Sequence, residues 1–101
     1  GGNIQKVIIS REIINSPELL IFSEPSWGLD IEGRRFVLQK IEELKTQGSA
    51  VLVITSDIEE ALECADRIVV MYRGQISGIV RTEQVDKAEI GRLMLGVEAY
   101  A

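Results

Sequence analysis

Two short apolar runs separated by one amphipathic segment constrain the fold of this chain more than any other feature. Leu19–Phe22 and Ala50–Thr55 are continuous apolar stretches bounded by turn-forming residues, which predicts strands buried on both faces. Between them, Asp30 can cap a helix that Gly48 stops, with its apolar face formed by Val37, Leu38, Ile41 and Leu44. Strand, helix and strand in this order predict a βαβ unit with parallel strands, and therefore an α/β fold.

The rest of the chain continues the alternation of helices and strands. Ser56 and Glu59 match the S-x-x-E capping box, which predicts a helix that begins at Ser56. Residues 66–72 and 75–80 are two further strands, and the short Arg73-Gly74 link between them requires an antiparallel hairpin. Helical spacing also predicts a helix over residues 3–15 and a last helix that Asp86 caps and Gly96 ends.

Composition excludes several classes of function. The 101 residues carry 11 Lys and Arg against 16 Asp and Glu, a net charge of −5, which argues against a nucleic-acid platform. The absence of histidine excludes Ser-His-Asp hydrolysis and histidine-ligated zinc. The single cysteine, Cys64, cannot form a disulfide within the chain, and its apolar neighbours predict a buried thiol. With no signal peptide and no apolar run of about 20 residues, we expect one soluble, cytosolic domain or a piece of one.

Two places in the chain are candidates for ligand binding. Glu24 follows the strand Leu19–Phe22 and begins a loop that contains Pro25 and Gly28, and open α/β sheets bind ligands at this end of their strands. The alternative is a solvated loop glutamate. Gly1 and Gly2 precede the predicted first helix, whose N-terminal N–H groups favour phosphate; the alternative is a pair of capping or tag-derived glycines.

The order of these features resembles the C-terminal half of an ATP-binding cassette, the nucleotide-binding domain of ABC transporters, over essentially all 101 residues. Gly1–Lys6 is similar to the signature motif, Leu19–Glu24 to the Walker B strand and its glutamate, and Pro25–Asp30 to the D-loop. Ser56 falls at the switch-histidine position, and Val69–Gly74 resembles the strand and turn that follow it. The resemblance implies half of a P-loop NTPase fold, with a mostly parallel sheet, a terminal antiparallel hairpin and flanking helices.

Within the family, the chain looks most like the second cassette of importers of simple sugars and nucleosides, in which two cassettes are fused. ATP and Mg²⁺ are the cofactors implied for the parent protein. Glu24 would be the catalytic residue that polarises the attacking water. ATP held by a partner cassette, docked head to tail, would be contacted by Gly1, Gly2 and Asn3.

Three further positions are implied to bind the cofactor or its metal ion, and two of them depart from the family pattern. Asp30 matches the family's D-loop. Ser23 stands where the family has the aspartate that helps to hold Mg²⁺, and a neutral hydroxyl is a poorer ligand for this hard cation. Ser56 replaces the switch histidine that contacts the γ-phosphate in the family. The resemblance therefore implies one competent and one impaired ATP site in the parent transporter.

The family's Walker A half lies upstream and is absent from residues 1–101, so we expect the isolated chain not to hydrolyse ATP. The implied partners are a second cassette, transmembrane permease subunits and, indirectly, a substrate-binding protein, at the cytoplasmic side of the membrane. One alternative is a non-catalytic interaction module or proteolytic piece that associates with other cassettes. Another, a flavodoxin-like regulatory domain, explains the alternation of elements but not the motifs.

The absent half also predicts a gap in the sheet. In the family, the Walker A strand lies between the two strands that correspond to Val51–Thr55 and Ile68–Tyr72. Because exposed strand edges tend to pair, we expect the gap to be closed by direct pairing of these strands or by association between chains.

Overall fold

In the computed structural model of the chain, the described residues are 18–97, and they divide into two compact units at the bond between Ser56 and Asp57. The predicted helix over residues 3–15 lies outside the described residues.

The first unit is the predicted βαβ arrangement. Strand β1 (Leu19–Ser23), helix α1 (Ile31–Thr46) and strand β2 (Ala50–Ile54) follow one another, and the two strands pair in parallel. Helix α1 begins where the sequence predicts, because the Asp30 side chain accepts a 2.7 Å hydrogen bond from the Gly33 N–H. The chain leaves the helix through Gly48, whose φ of +92° suits glycine.

The two faces of the β1–β2 sheet differ in burial. Helix α1 packs against β2 and buries its apolar face, including Val37, Ile41 and Leu44. On the opposite face of the sheet, four apolar side chains are each more than half exposed: Leu19, Ile21, Leu52 and Ile54. The prediction that both faces are buried is therefore wrong for residues 18–97, because no segment in this range covers the second face.

The second unit consists of helix α2 (Ile58–Cys64), strands β3 (Arg67–Tyr72) and β4 (Gln75–Arg81), a 3₁₀ turn (Thr82–Gln84) and helix α3 (Lys87–Met94). Strands β3 and β4 form the predicted antiparallel hairpin. Both turn residues have positive φ, +50° at Arg73 and +77° at Gly74, as a tight two-residue hairpin turn requires.

The core of the second unit lies between the hairpin and its helices. Four buried residues form this core: Ile68, Val70, Ile90 and Leu93. The thiol of Cys64, on α2, is buried as predicted. A register shift after Val70 leaves Ser77 as an extra residue of β4, and its hydroxyl donates a 2.7 Å hydrogen bond to the Leu93 carbonyl. The same carbonyl accepts a 3.0 Å hydrogen bond from the Gly96 N–H, so the bulge adds a second donor near the end of α3.

The two sheets remain separate in strand pairing. Among residues 18–97, β2 pairs with β1 and β3 pairs with β4, and β2 does not pair with β3. The expected closure of the gap by direct pairing is therefore wrong. Strand β3 pairs with β4 across the two-residue turn, and this pairing uses one of its two edges.

A short ion pair joins α2 and α3 on the surface of the second unit. Lys87 Nζ lies 2.6 Å from Glu59 Oε1, and this hydrogen bond, together with the carboxylate charge, raises the pKa of Lys87 above its ordinary value. Both side chains are more than half exposed, so the pair contributes little to stability. No helix within residues 18–97 is long and apolar enough to span a membrane.

Candidate functional site

Glu24 lies immediately after β1 and begins the loop to α1. Its N–H donates a 2.7 Å hydrogen bond to the Ile54 carbonyl, and its own carbonyl accepts a 3.1 Å hydrogen bond from the Trp27 N–H. Glu24 has a φ of +47°, the left-handed conformation that non-glycine residues rarely adopt. The chain therefore turns sharply at the residue that the sequence singles out.

The side chain of Glu24 returns to the end of β2. Its Oε1 accepts a 2.9 Å hydrogen bond from the main-chain N–H of Ser56, and the Thr55 hydroxyl lies 3.5 Å from Oε2. Glu24 is partly buried, and Ser56 is exposed. The parallel pairing of β1 and β2 thus brings together two of the residues predicted for the site, Glu24 and Ser56.

Ser23 is the last residue of β1 and lies opposite Ile54 in the register. It is exposed, on the same side of the sheet as Leu19 and Ile21. Within residues 18–97 there is no cluster of three or more acidic, cysteine or histidine side chains able to hold a metal ion. Mg²⁺ requires near-octahedral oxygen coordination, so Ser23 and Glu24 do not fit this ion without ligands from elsewhere.

The side chain of Asp30 caps helix α1. Its Oδ1 accepts the Gly33 N–H at the start of α1, and a Cβ added at Gly33 would lie only 3.1 Å from that oxygen. This cap fixes the end of the loop that begins at Glu24. Asp30 itself is exposed, and a direct role in cofactor binding stays a prediction.

Ser56 does not cap the helix that follows it. The N-cap of α2 is Asp57, whose side chain accepts hydrogen bonds from the N–H groups of Glu59 and Glu60 at 3.0 and 3.3 Å. The predicted capping box of Ser56 and Glu59 is therefore wrong. The N–H of Ser56 is already donated to Glu24, so Ser56 lies in the connection after β2, and the helix is capped one residue later.

Two features of this region were missed by sequence reasoning. Thr55 contributes a hydroxyl near Glu24, and the signal for it is its place directly after a strand parallel to β1. Trp27 and Ile31 are 79% and 76% exposed on the loop and the first turn of α1. A tryptophan in a short loop between Pro25 and Gly28 was the available signal. The predicted ATP contacts Gly1, Gly2 and Asn3 lie outside the described residues.

Sequence comparison relates the chain to known import proteins. It is 46% identical over 96 residues to the nucleoside import ATP-binding protein NupA of Lactococcus lactis, covering 95% of this chain and 19% of that protein. It is 39% identical over 97 residues to the ribose import ATP-binding protein RbsA of Clostridium perfringens, covering 96% of this chain and 19% of that protein. The chain thus spans about a fifth of these curated relatives. No protein-family model matches it.

Solved structures agree with the sequence comparison. A nucleotide-free ATP-binding cassette from an ABC transporter superposes with a TM-score of 0.70 at 26% identity, covering 79% of this chain and 32% of that chain. An ATP-binding subunit of an ABC transporter gives a TM-score of 0.71 at 25% identity, covering 99% of this chain and 39% of that chain.

The α/β fold, with a parallel strand pair followed by an antiparallel hairpin, is part of a P-loop NTPase domain. The chain belongs to the ATP-binding cassette family of ABC transporters. The relatives reported above are import ATP-binding proteins.

Proposed function

We propose that residues 1–101 form the signature, Walker B, D-loop and switch part of an import ATP-binding subunit, which couples ATP binding and hydrolysis to uptake of a simple sugar or nucleoside. The observation that carries the proposal is the meeting of Glu24 with Ser56 at the ends of two parallel strands. The two motifs that face the γ-phosphate in the resemblance are thereby adjacent. Relatives that import nucleosides and ribose support the substrate class.

In this proposal the chain contributes to two different ATP sites. Glu24 polarises the water that attacks the γ-phosphate at the cassette's own site, where Asp30 and Ser56 also lie. The other ATP, held by a second cassette docked head to tail, is contacted by Gly1, Gly2 and Asn3.

The cassette's own site turns over slowly in this proposal. The exposed hydroxyl of Ser23 replaces a carboxylate at the Mg²⁺ position, and Ser56 replaces an imidazole at the γ-phosphate. Each change replaces a group that can carry charge with a neutral hydroxyl. Phosphoryl transfer depends mainly on electrostatic stabilisation of the phosphoryl oxygens, so both changes slow the reaction.

The subunit lies at the cytoplasmic face of the membrane and binds transmembrane permease subunits there, with the substrate-binding protein acting indirectly. The isolated chain does not hydrolyse ATP, because a Walker A loop upstream would supply the N–H groups and lysine that bind the phosphates.

A second candidate is a non-catalytic module that associates with other cassettes. The exposed apolar face of β1 and β2 favours it, because contiguous apolar surface of this kind marks contact sites. In this case the chain carries out its role through association and takes no part in phosphate chemistry.

Isothermal titration with Mg-ATP distinguishes the two. We expect no binding heat with the 101-residue chain and saturable binding with the protein encoded by the full reading frame. Micromolar binding by the isolated chain would contradict the need for an upstream Walker A loop. A full reading frame that lacks a Walker A sequence would contradict the import subunit and favour the association module.

A further inference from the structure

We infer that the main-chain N–H of Ser56, rather than its side chain, is the group that positions the Glu24 carboxylate. The inference rests on the proposed function for the role of Glu24, but the contact itself is independent of that role. Ser56 would thus be a positioning residue that acts through its backbone.

Three contacts tie Glu24 to the end of β2, and their lengths rank them. The Glu24 N–H reaches the Ile54 carbonyl at 2.7 Å, and the Ser56 N–H reaches Glu24 Oε1 at 2.9 Å. The Thr55 hydroxyl is 3.5 Å from Oε2, at the limit of a hydrogen bond. Because a hydrogen bond weakens as it lengthens, the Ser56 amide makes the stronger of the two contacts to the Glu24 side chain.

The positions of both partners are set by the sheet. Ser23 lies opposite Ile54 in the parallel register, so Glu24 directly follows the end of β1, and Ser56 lies two residues beyond the end of β2. Glu24 also turns into a left-handed conformation at this point, with φ of +47°. Backbone strain of this kind persists only where surrounding contacts hold it, and here both the N–H and the carboxylate of Glu24 are bound.

A hydrogen bond donated by the main chain does not depend on the side chain of the donor residue. Every residue except proline supplies the same N–H, so the orientation of Glu24 is indifferent to the side chain at position 56. Replacement of an imidazole by the Ser56 hydroxyl would remove a contact to the nucleotide while leaving the glutamate in place. The carboxylate would therefore remain oriented in a site whose other groups have changed.

The direct test is a scalar coupling across the hydrogen bond, measured by NMR between the Ser56 amide nitrogen and the Glu24 side-chain carboxyl carbon in the labelled chain. We expect the coupling in the unmodified chain, in Ser56→Ala and in Thr55→Val, and its loss in Glu24→Ala. Absence of the coupling from the unmodified chain, or its loss in Ser56→Ala, would overturn the inference.

Amide hydrogen exchange in the full-length protein provides a second measurement that does not require a monodisperse sample of the short chain. Glu24→Ala should speed exchange at the Ser56 amide about 10-fold, and Ser56→Ala should leave exchange of residue 56 within the change expected for its side chain. Equal acceleration in both variants would contradict a main-chain role. Neither measurement depends on ATP hydrolysis, so failure of the proposed function, read from Mg-ATP titration, is a separate result.

Discussion

The main-chain N–H of Glu24 donates to the carbonyl of Ile54 at 2.7 Å, although Glu24 itself has a φ of +47°. This hydrogen bond extends the parallel ladder one residue beyond the pair of Ser23 and Ile54. The chain then turns back, with the Trp27 N–H bonded to the Glu24 carbonyl. The candidate catalytic residue, Glu24, therefore has a strained backbone, and hydrogen bonds hold its side chain in place.

The strain predicts an unusual order of stability among variants of Glu24. Glycine adopts a positive φ without steric cost, whereas alanine pays about 1 kcal/mol. We therefore expect Glu24→Gly to unfold at a higher denaturant concentration than Glu24→Ala, although both lack the carboxylate. Urea denaturation followed by circular dichroism measures this. If Glu24→Ala is as stable as Glu24→Gly, the left-handed conformation at this position is not populated.

The start of α2 provides a matched pair of substitutions. Asp57 accepts two N–H groups of the first turn and Ser56 accepts none of them. We expect Asp57→Ala to lower the free energy of unfolding by about 1 kcal/mol and Ser56→Ala to change it by less than about 0.3 kcal/mol. Thermal denaturation of both variants measures the difference. A larger loss in Ser56→Ala would restore the capping box that the sequence pattern suggests.

The sequence predicts most of the secondary structure because the signals are local. The strand expected at Leu19–Phe22 is found at Leu19–Ser23, and Asp86 caps the last helix as expected, accepting the Glu89 N–H at 2.8 Å. The Arg73-Gly74 turn forms the hairpin for the same reason, since two residues determine its geometry.

The start of α2 was misassigned because the sequence contains two overlapping signals there. Ser56 with Glu59 and Asp57 with Glu60 both have the spacing of a capping pair. The choice between them is made by a tertiary contact, the donation of the Ser56 N–H to Glu24, which no local pattern contains. Burial of the second face of β1 and β2 was misjudged for a similar reason, since an apolar run does not identify what covers it.

A second matched pair tests the packing of the second unit. A Cβ added at Gly96, which has a φ of +81°, would lie 2.6 Å from two ring carbons of Tyr72. A Cβ added at Gly91, within α3, would meet no atom within 4 Å. We expect Gly96→Ala to destabilise the protein by about 2 kcal/mol and Gly91→Ala to stabilise it by about 0.5 kcal/mol. Equal melting temperatures for the two variants would show that the contact of Gly96 with Tyr72 is absent.

The exposed apolar face of β1 and β2 predicts self-association of the isolated chain. A second copy of the chain would cover this face. Leu52 is 51% exposed at the centre of this face. We expect Leu52→Lys to shift the mass in sedimentation equilibrium towards 11.2 kDa, because a buried ammonium is costly. Gln39→Lys, an exposed position on α1, makes the same charge change away from the face. An unmodified chain that is already monomeric, or equal association of both variants, would contradict this.

We propose that Glu24 belongs to the impaired site of an import cassette pair, and this is measured by the ATPase activity of the full-length transporter with Glu24→Gln. The matched variant carries the same change at the equivalent glutamate of the other cassette. We expect Glu24→Gln to retain most of the transport-coupled ATPase activity and the matched variant to lose it, because the residues at positions 23 and 56 beside Glu24 are both serine. Loss of activity in Glu24→Gln with full activity in the matched variant would instead place Glu24 at the competent ATP site.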